Sequence, residues 1–414
     1  MTAETFDVRV QLEGPGYLGE AVGHLDGQVL FVDYGLPGEE VLAEIQQRKR
    51  RFAHARAVAV LTPSPHRTWP PCPYFGRCGG CQYQHADYAY QLTIKQEILT
   101  EQLRRIGGLT DVVVQPFIPA AVPWHYRNQI RLSTRRSGEL GFVVRHTHRA
   151  LPVHYCRITQ PPINRLLALL QGRGAGLHQV VIRYGARTGE FLIQPAFPDL
   201  PDLPTGQPYY HEILLGRRYR VSAVSFFQVN TRPDFRALPA AIRAPWLADR
   251  QGFYSQADLL ALLVLDRLEL TGREVVVDAY CGVGTFTLHI AERAHYVIGI
   301  EESRSAVRDA EVNATGLDNV RFIEAKTEVA LPQIREKVDA VVLDPARVGC
   351  APPVIEALLA LRAPKIVYVS CDPATLARDL RLLVQGGYRV TDVQPIDMFP
   401  QTHHIETVVT LRGE

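Results

Sequence analysis

The sequence predicts a multidomain α/β protein that consists of an N-terminal OB-like β-barrel, a β-rich central domain and a doubly wound C-terminal domain. The chain has 414 residues, which is long enough for two or three domains. Short β-rich segments alternate with glycine-rich turns near the N-terminus. From residue 274 onward, apolar strands alternate with helical segments, which is typical of a parallel sheet with crossover helices.

The composition excludes several classes of protein. Hydrophobic residues make up 46% of the chain and charged residues 21%, which excludes a disordered chain, a collagen and a coiled-coil rod. The longest apolar run, residues 259–265, is far shorter than the roughly 20 residues that a bilayer requires. Residues 1–7 have neither the basic nor the apolar region of a signal peptide. We therefore expect a cytoplasmic protein without a membrane segment.

The predicted barrel occupies residues 1–62. Residues 8–12 and 28–32 are β-rich, and glycine-containing turns follow each of them. A five-stranded barrel of the OB type is a common oligonucleotide-binding module. Four consecutive basic residues at 48–51, followed by Arg56, give this barrel a basic flank.

The middle of the chain is predicted to be mostly β-structure. A proline-rich stretch at residues 63–71 precedes a predicted helix over residues 91–106, whose apolar side chains share one face. Residues 131–134 and 179–183 are candidate strands. Arginines and aromatic residues are interleaved over residues 124–149, which suits single-stranded or flipped nucleic acid. A solvated β-hairpin explains the same charges equally well.

Four apolar segments of the C-terminal part are predicted strands, at residues 274–278, 296–300, 340–344 and 365–370, and residues 303–313 form a predicted helix. The loop after the first strand contains Gly282 and Gly284, which let a ligand approach the backbone. Thr287 stands where a dinucleotide fingerprint has its third glycine, and Glu301 ends the second strand. This combination resembles methyltransferases that bind S-adenosylmethionine (SAM); a plain strand-to-helix turn is the alternative.

The chain contains seven cysteines, which do not indicate a disulfide framework in a protein expected to be cytoplasmic, because the cytosol keeps thiols reduced. Their uneven spacing is informative. Cys72, Cys78 and Cys81 are close in sequence, and Cys156 follows far downstream. Four cysteines suit zinc as well as an iron–sulfur cluster, and spacing alone favours zinc. Cys281 and Cys350 are interpreted as structural.

Cys371 lies at the predicted end of a strand, directly before Asp372 and Pro373. In such a sheet this position faces the ligand-binding edge, which Asp344 and Arg347 should also border. A nearby arginine favours the reactive thiolate. The alternative is a buried cysteine that acts as a small hydrophobic residue.

Six motifs occur in an order that identifies a family. They are Cys72-x5-Cys78-Gly-Gly-Cys81, Phe227-Gln228-Val229-Asn230, Asp278-x-Tyr-Cys-Gly-x-Gly-Thr-Phe, Leu343-Asp344-Pro-Ala-Arg, Ser370-Cys371 and Pro400-Gln-Thr-His-His-Ile-Glu406. Together they resemble the RNA uracil-5-methyltransferases, specifically the iron–sulfur branch that methylates 23S rRNA. The resemblance covers nearly the whole chain, and the barrel resembles that family's TRAM domain.

The resemblance implies a role for each matching residue. Cys371 matches the nucleophile that attacks C6 of uracil, and Glu406 matches the base that removes the C5 proton. The implied SAM contacts are Gln228, Tyr280, Gly282, Gly284, Thr285, Glu301, Lys326 and Asp344. The implied [4Fe–4S] ligands are Cys72, Cys78, Cys81 and Cys156, and the implied RNA contacts are Arg127 and Arg131.

The resemblance also implies three domains: a TRAM/OB-like RNA-binding barrel (1–62), a central domain with the iron–sulfur cluster (63–245) and a Rossmann-like SAM-dependent methyltransferase domain (246–414). Helix 91–106 is expected to pack on the last of these. The implied enzyme is a monomer that flips a 23S rRNA uridine out of its stack. A tRNA uracil-5-methyltransferase and a zinc-stabilised, non-catalytic RNA-binding protein are the alternatives.

Three features depart from the family pattern. Asp372 stands where relatives have asparagine, and its charge would raise the pKa of the adjacent thiol. Residues 231–255 intervene between the Phe-Gln-Val-Asn motif and the next helix, where relatives run almost directly from one to the other. Lys326 occupies a position at which relatives often carry another residue.

Overall fold

The computed structural model describes residues 7–242 and 253–413. The predicted domain boundary at residue 245, part of the predicted insertion and the first six residues lie outside the described residues. No helix in the described ranges is both long enough and apolar enough to span a membrane.

The N-terminal part is a closed five-stranded barrel, as predicted. Its strands are β1 (Asp7–Pro15), β2 (Ala21–Leu25), β3 (Gln28–Asp33), β4 (Glu40–Arg48) and β5 (Phe52–Thr62), in the order β1-β2-β3-β5-β4. Alternate side chains such as Val10, Leu12, Leu30 and Val32 fill the interior, because successive residues of a strand face opposite sides. Antiparallel pairing of β1 with β4 closes the barrel.

Helix α1 (Tyr88–Arg105) begins three residues before the predicted start. The cause is an N-cap: the Asp87 carboxylate accepts a hydrogen bond from the Tyr90 amide at 2.8 Å. On its buried face, Ile98, Leu99 and Leu103 belong to the same core as the strands of the C-terminal sheet. The helix therefore joins the central region to the C-terminal part of the chain.

The central region contains a five-stranded antiparallel sheet in the order β10-β9-β6-β7-β8. Its strands are β6 (Gln129–Thr134), β7 (Leu140–Val143), β8 (Ala150–Pro152), β9 (Gln179–Tyr184) and β10 (Phe191–Gln194), and helix α2 (Pro161–Leu170) packs on it. Two antiparallel pairs of strands follow, β11 (Tyr209–Leu214) with β12 (Arg217–Ser222) and β13 (Pro233–Phe235) with β14 (Tyr254–Ser255).

The C-terminal part is a seven-stranded sheet with helices on both faces. In chain order its elements are α3 (Gln256–Leu268), β15 (Val275–Ala279), α4 (Thr287–Ala291), β16 (Tyr296–Glu301), α5 (Arg304–Asn313), β17 (Val320–Glu324), α6 (Thr327–Ala330), a 3₁₀ turn (Leu331–Gln333), β18 (Ala340–Leu343), α7 (Pro352–Leu361), β19 (Lys365–Ser370), α8 (Pro373–Gln385), β20 (Tyr388–Ile396) and β21 (Glu406–Gly413). The strand order is β17-β16-β15-β18-β19-β21-β20.

One strand departs from the predicted parallel sheet: β21 is antiparallel to both of its neighbours. Only residues 397–405 connect β20 with β21, and a parallel connection would need a crossover of a dozen or more residues. The reversal has a functional consequence. It brings the start of β21 to the edge where β19 ends, with Ser370 opposite Thr407.

Candidate active site

The carboxyl ends of three adjacent strands bring the predicted catalytic residues together. Ala279 of β15 pairs with Leu343 of β18, so the next residues of the chain, Tyr280 and Asp344, emerge at one edge of the sheet. Cys371 follows β19 at the same edge. Because β21 runs in the opposite direction, its first residue, Glu406, also lies there. The structure thus places a thiol beside two carboxyl groups that are distant in sequence.

These groups perturb one another. Desolvation and the nearby Asp278 carboxyl raise the pKa of Asp344 to about 7. Burial and Asp344 raise the pKa of Glu406 well above its usual range. Burial, followed by Glu406 and Asp344, raises the pKa of Cys371 to about 12, and Arg347 opposes that shift. A carboxyl with a raised pKa accepts a proton effectively near neutral pH, so this arrangement suits acid–base chemistry at the thiol.

Arg347 is fixed by a residue that the sequence did not single out. Its guanidinium donates a hydrogen bond of 3.1 Å to Nε2 of His404. Burial and the neighbouring His403 and Arg347 lower the pKa of His404 to about 2, so the ring is neutral and its nitrogen can accept. In the sequence, the only indication of a role for His404 is its place beside His403 in the 400–406 motif.

The glycine-containing loop has the open backbone expected of a ligand cradle. Tyr280, Gly282 and Gly284 have φ angles of 68°, 56° and 86°. A Cβ at Gly282 would meet nothing within 4 Å, so its backbone is accessible. The Glu301 carboxylate accepts hydrogen bonds from the amides of Gly282 at 3.1 Å and Ser303 at 2.7 Å. Glu301 therefore ties the end of β16 to the loop.

The remaining predicted cofactor residues occupy different positions relative to this loop. Thr285 belongs to it, and its carbonyl accepts from the Tyr219 hydroxyl at 3.3 Å. Lys326 is exposed and directly precedes α6. It follows β17, whose last residue, Glu324, pairs with Glu301 of β16. Gln228 is buried in the central region, where its carbonyl accepts from Asn128 at 3.1 Å.

The four predicted metal-ligating cysteines line a single cavity of 260 Å³, together with the predicted RNA contacts Arg127 and Arg131. Cys156 is held by Asn164, whose side chain accepts from the Cys156 amide at 2.8 Å. Among residues 7–242 and 253–413, no three His, Cys, Asp or Glu side chains converge closely enough to hold a single metal ion.

The cysteine loop (residues 72–82) also contacts residues 397–405, the connection that carries His403 and His404 and leads to Glu406, which we call the catalytic loop. The Gln82 amide donates to the carbonyl of Gln401 at 2.9 Å, and the Gln82 side chain accepts from the His403 amide at 3.2 Å. Gln91 of α1 accepts from the Gln401 amide at 3.0 Å. Residues 397–405 are therefore held from two sides by the central region.

A second cavity, of 300 Å³, lies where the barrel meets the central sheet. Both basic segments of the sequence contribute to its lining, and Arg77 of the cysteine loop and Asp33 of β3 complete the set of basic and acidic residues. These residues are Asp33, Arg56, Arg77, Arg135, Arg145, His146 and Arg149. Asp33 pairs with Arg145 at 2.6 Å. Within the described part of the chain, no carboxylate lies within ion-pair distance of Arg56, Arg77 or Arg149. We call this pocket the basic cavity.

Comparison with known proteins agrees with this architecture. A family described as TRAM domain matches residues 4–58, and one described as tRNA (Uracil-5-)-methyltransferase matches residues 263–414. An RNA methyltransferase of Gloeobacter violaceus is 35% identical, with 95% of this chain and 93% of the relative covered. One from Halalkalibacterium halodurans is 33% identical, with 98% and 96% covered.

Among solved structures, the chain resembles the Pyrococcus abyssi tRNA (uracil-54, C5)-methyltransferase in complex with S-adenosyl-L-homocysteine. The TM-score is 0.70 at 24% identity, and the match covers 98% of this chain and 100% of that one. At this identity the likeness concerns the fold, which the two chains share over their full length.

Proposed function

The chain belongs to the RNA uracil-5-methyltransferase family and is a SAM-dependent RNA methyltransferase. From this premise we propose that it methylates C5 of a specific uridine in 23S rRNA through a covalent bond between Cys371 and C6. The observation that carries the mechanism is the meeting of Cys371, Glu406, Asp344 and Arg347 at one edge of the sheet.

In the proposed reaction the Cys371 thiolate attacks C6, and the S–C6 bond converts the uracil ring into an enolate whose negative charge reaches C5. The Arg347 guanidinium favours the thiolate against the two neighbouring carboxyl groups. C5 takes the methyl group from the sulfonium of SAM, and S-adenosylhomocysteine leaves. Glu406 then removes the C5 proton, and elimination breaks the S–C6 bond and restores the Cys371 thiolate.

Eight residues would hold SAM: Gln228, Tyr280, Gly282, Gly284, Thr285, Glu301, Lys326 and Asp344. The accessible backbone at Gly282 and the carboxylate of Glu301 beside it fit a nucleoside with free ribose hydroxyls. Gln228 lies apart from the Gly282 loop along the chain: it is buried, and its carbonyl accepts a hydrogen bond from Asn128 of the central region. Its contact with SAM rests on the family motif alone.

We also propose that Cys72, Cys78, Cys81 and Cys156 hold a structural [4Fe–4S] cluster. The four cysteine thiols line one cavity, and thiolates are the ligands that an iron–sulfur cluster requires. Anaerobically purified protein should contain about four irons per chain, and Cys156→Ser should lose them. Stoichiometric zinc would contradict this proposal.

The target must leave its stack to reach a thiol at the sheet edge, so the RNA is proposed to flip its uridine. The basic cavity offers unpaired arginines for backbone phosphates, and Arg127 and Arg131 offer further charge at the cysteine cavity. These are the two surfaces proposed to bind RNA.

The decisive experiment is mass-spectrometric mapping of 5-methyluridine in 23S rRNA and tRNA incubated with the protein and SAM. Cys371→Ala should abolish methylation while leaving SAM binding nearly intact, because the thiol attacks the base. Retention of more than about a hundredth of wild-type turnover would exclude covalent catalysis by Cys371. Glu406→Gln should accumulate a protein–RNA adduct that survives denaturing electrophoresis. Methylation confined to tRNA would replace the proposed substrate with the alternative one.

A further inference from the structure

The loop that joins β1 to β2 leaves the barrel and contacts the active site. Gly19 packs closely against the cysteine and catalytic loops, since a Cβ there would lie 2.6 Å from Cβ of Gln82 and 3.2 Å from Cβ of His403. Two residues earlier, Tyr17 packs against the core of the C-terminal sheet. Residues 16–20 therefore bridge the barrel and the methyltransferase part.

The Tyr17 hydroxyl donates a hydrogen bond to Oδ2 of Asp372, the residue that follows Cys371. The other carboxylate oxygen, Oδ1, accepts from the Thr375 amide at 2.9 Å and caps helix α8. Both oxygens of Asp372 thus have donors. One comes from the first turn of its own helix, and the other comes from a residue 355 positions away in the sequence.

This contact controls where a negative charge lies beside the nucleophile. Asp372 is one of the groups that raise the pKa of Cys371. Burial, Asp372 and Cys371 raise the pKa of Tyr17, so its hydroxyl keeps its proton and remains a donor. A hydrogen bond to a carboxylate is stronger and more directional than one between neutral groups. Tyr17 is therefore suited to restrain the Asp372 side chain.

We propose that Tyr17 is a positioning residue for methyl transfer. By holding the Asp372 carboxylate, Tyr17 makes the reactivity of Cys371 depend on the docking of the barrel against the C-terminal sheet. The inference rests on the proposed function, because it assigns Tyr17 to the same nucleophile. It gives the barrel a second role, besides RNA binding, in setting the environment of the thiol.

The test compares Tyr17→Phe, Asp372→Asn and the double variant under single-turnover conditions. Tyr17→Phe should lower the methylation rate by about tenfold and change RNA affinity by less than about twofold, because the lost bond is to a charged group at the nucleophile. In the Asp372→Asn background the same change should cost less than about twofold, because no charge remains to be held. Tyr90→Phe is the matched control, since this α1 tyrosine lines neither cavity and its hydroxyl makes no hydrogen bond within the described residues.

A second readout does not require RNA. Alkylation of Cys371 by iodoacetamide, followed on its tryptic peptide, should slow in Tyr17→Phe and remain at the wild-type rate in Tyr90→Phe. Equal effects in both Asp372 backgrounds, or a parallel loss of RNA affinity and rate, would mean that Tyr17 only stabilises the barrel interface and would overturn the proposal. A wild-type protein that alkylates as expected but methylates no RNA would instead overturn the proposed function.

Discussion

At the scale of single residues, the acidic groups of the active site bind their protons more tightly than the same groups would in water. The pKa values of Asp344, Glu406 and Cys371 are all raised by desolvation and by mutual repulsion. Such a site is suited to an acceptor that takes a proton from carbon near neutral pH. The same repulsion disfavours the thiolate, so the cation of Arg347 and the restraint on Asp372 become important for attack.

The raised pKa of Asp344 makes stability depend on pH in a defined direction. Its pKa is about 7 in the folded protein and about 3.9 in an unfolded chain, so between these values only the unfolded state releases the proton. Stability is therefore lost as pH rises from about 4 to about 7. Asp344→Asn imitates the protonated form and should raise the melting temperature by an amount that grows over this interval.

The matched control for this measurement is Asp318→Asn, since Asp318 is exposed. Melting curves at several pH values should show no comparable growth for this control. A constant or shrinking advantage of Asp344→Asn would mean that Asp344 is ionised in the folded protein throughout the interval.

The predictability of these residues from sequence depended on where their partners are. Cys371 and Asp344 follow apolar strands, so periodicity alone brings them to one edge of the sheet. Glu406 needed the family motif, because the antiparallel direction of β21 is not visible in a single apolar run. Tyr17 was missed because its partner is 355 residues away and no local pattern marks a tyrosine for such a contact.

At the scale of elements, the 397–405 connection is the feature on which the site depends. Asp397 accepts hydrogen bonds from Nζ of Lys95 at 2.7 Å and from the Tyr88 hydroxyl at 2.8 Å, both on helix α1. Lys95 also donates to the Phe399 carbonyl at 3.1 Å. The apolar face of α1 could be predicted from its period, but the buried lysine within that face gave no indication of this partner. Helix α1 thus positions the 397–405 connection, which leads to Glu406 at the start of β21.

Removing Lys95 should be costly because it leaves the buried Asp397 carboxylate with an uncompensated charge. Both side chains are almost completely buried, at 0% and 1% exposure. We expect Lys95→Met to lower the free energy of unfolding by about 3–5 kcal/mol, measured by urea denaturation. Adding Asp397→Asn should recover a substantial part of this loss.

The exposed pair between Arg104 and Glu101 on the same helix serves as the control. Arg104→Met should change the free energy of unfolding by less than about 1 kcal/mol. If Lys95→Met is as mild as Arg104→Met, the buried pair does not stabilise the connection. If the double variant is no more stable than the single one, the loss comes from packing of the lysine stem rather than from charge.

At the scale of the whole molecule, three parts of the chain converge on one catalytic loop. The barrel reaches it through residues 16–20, the central region through Gln82 and the helix through Lys95. The order of these parts and their general architecture could be predicted from turns, proline-rich segments and strand–helix alternation. Their docking could not, because it depends on single polar contacts between segments that share no local pattern.

The basic cavity is the clearest consequence of this docking for RNA. Two basic segments that are separate in sequence line it jointly, and their charges exceed what Asp33 can neutralise. Arginines without carboxylate partners carry a repulsion that phosphates would relieve. We therefore expect the cavity to contribute electrostatic affinity that falls with salt.

Replacing Arg56, Arg77 and Arg149 together by alanine should weaken RNA binding and flatten its salt dependence. Each lost phosphate contact on single-stranded RNA reduces the slope of log K against log salt by about 0.7, so three contacts predict a decrease of about 2. Replacing the exposed Arg104 and Arg173, which pair with Glu101 and Asp199, should leave the slope unchanged. SAM binding should be unaffected in both variants, because no residue of the Gly282 loop lines the basic cavity. A loss of affinity with an unchanged salt slope would show that these arginines shape the interface between barrel and sheet instead of contacting phosphates, since only ionic contacts release counterions.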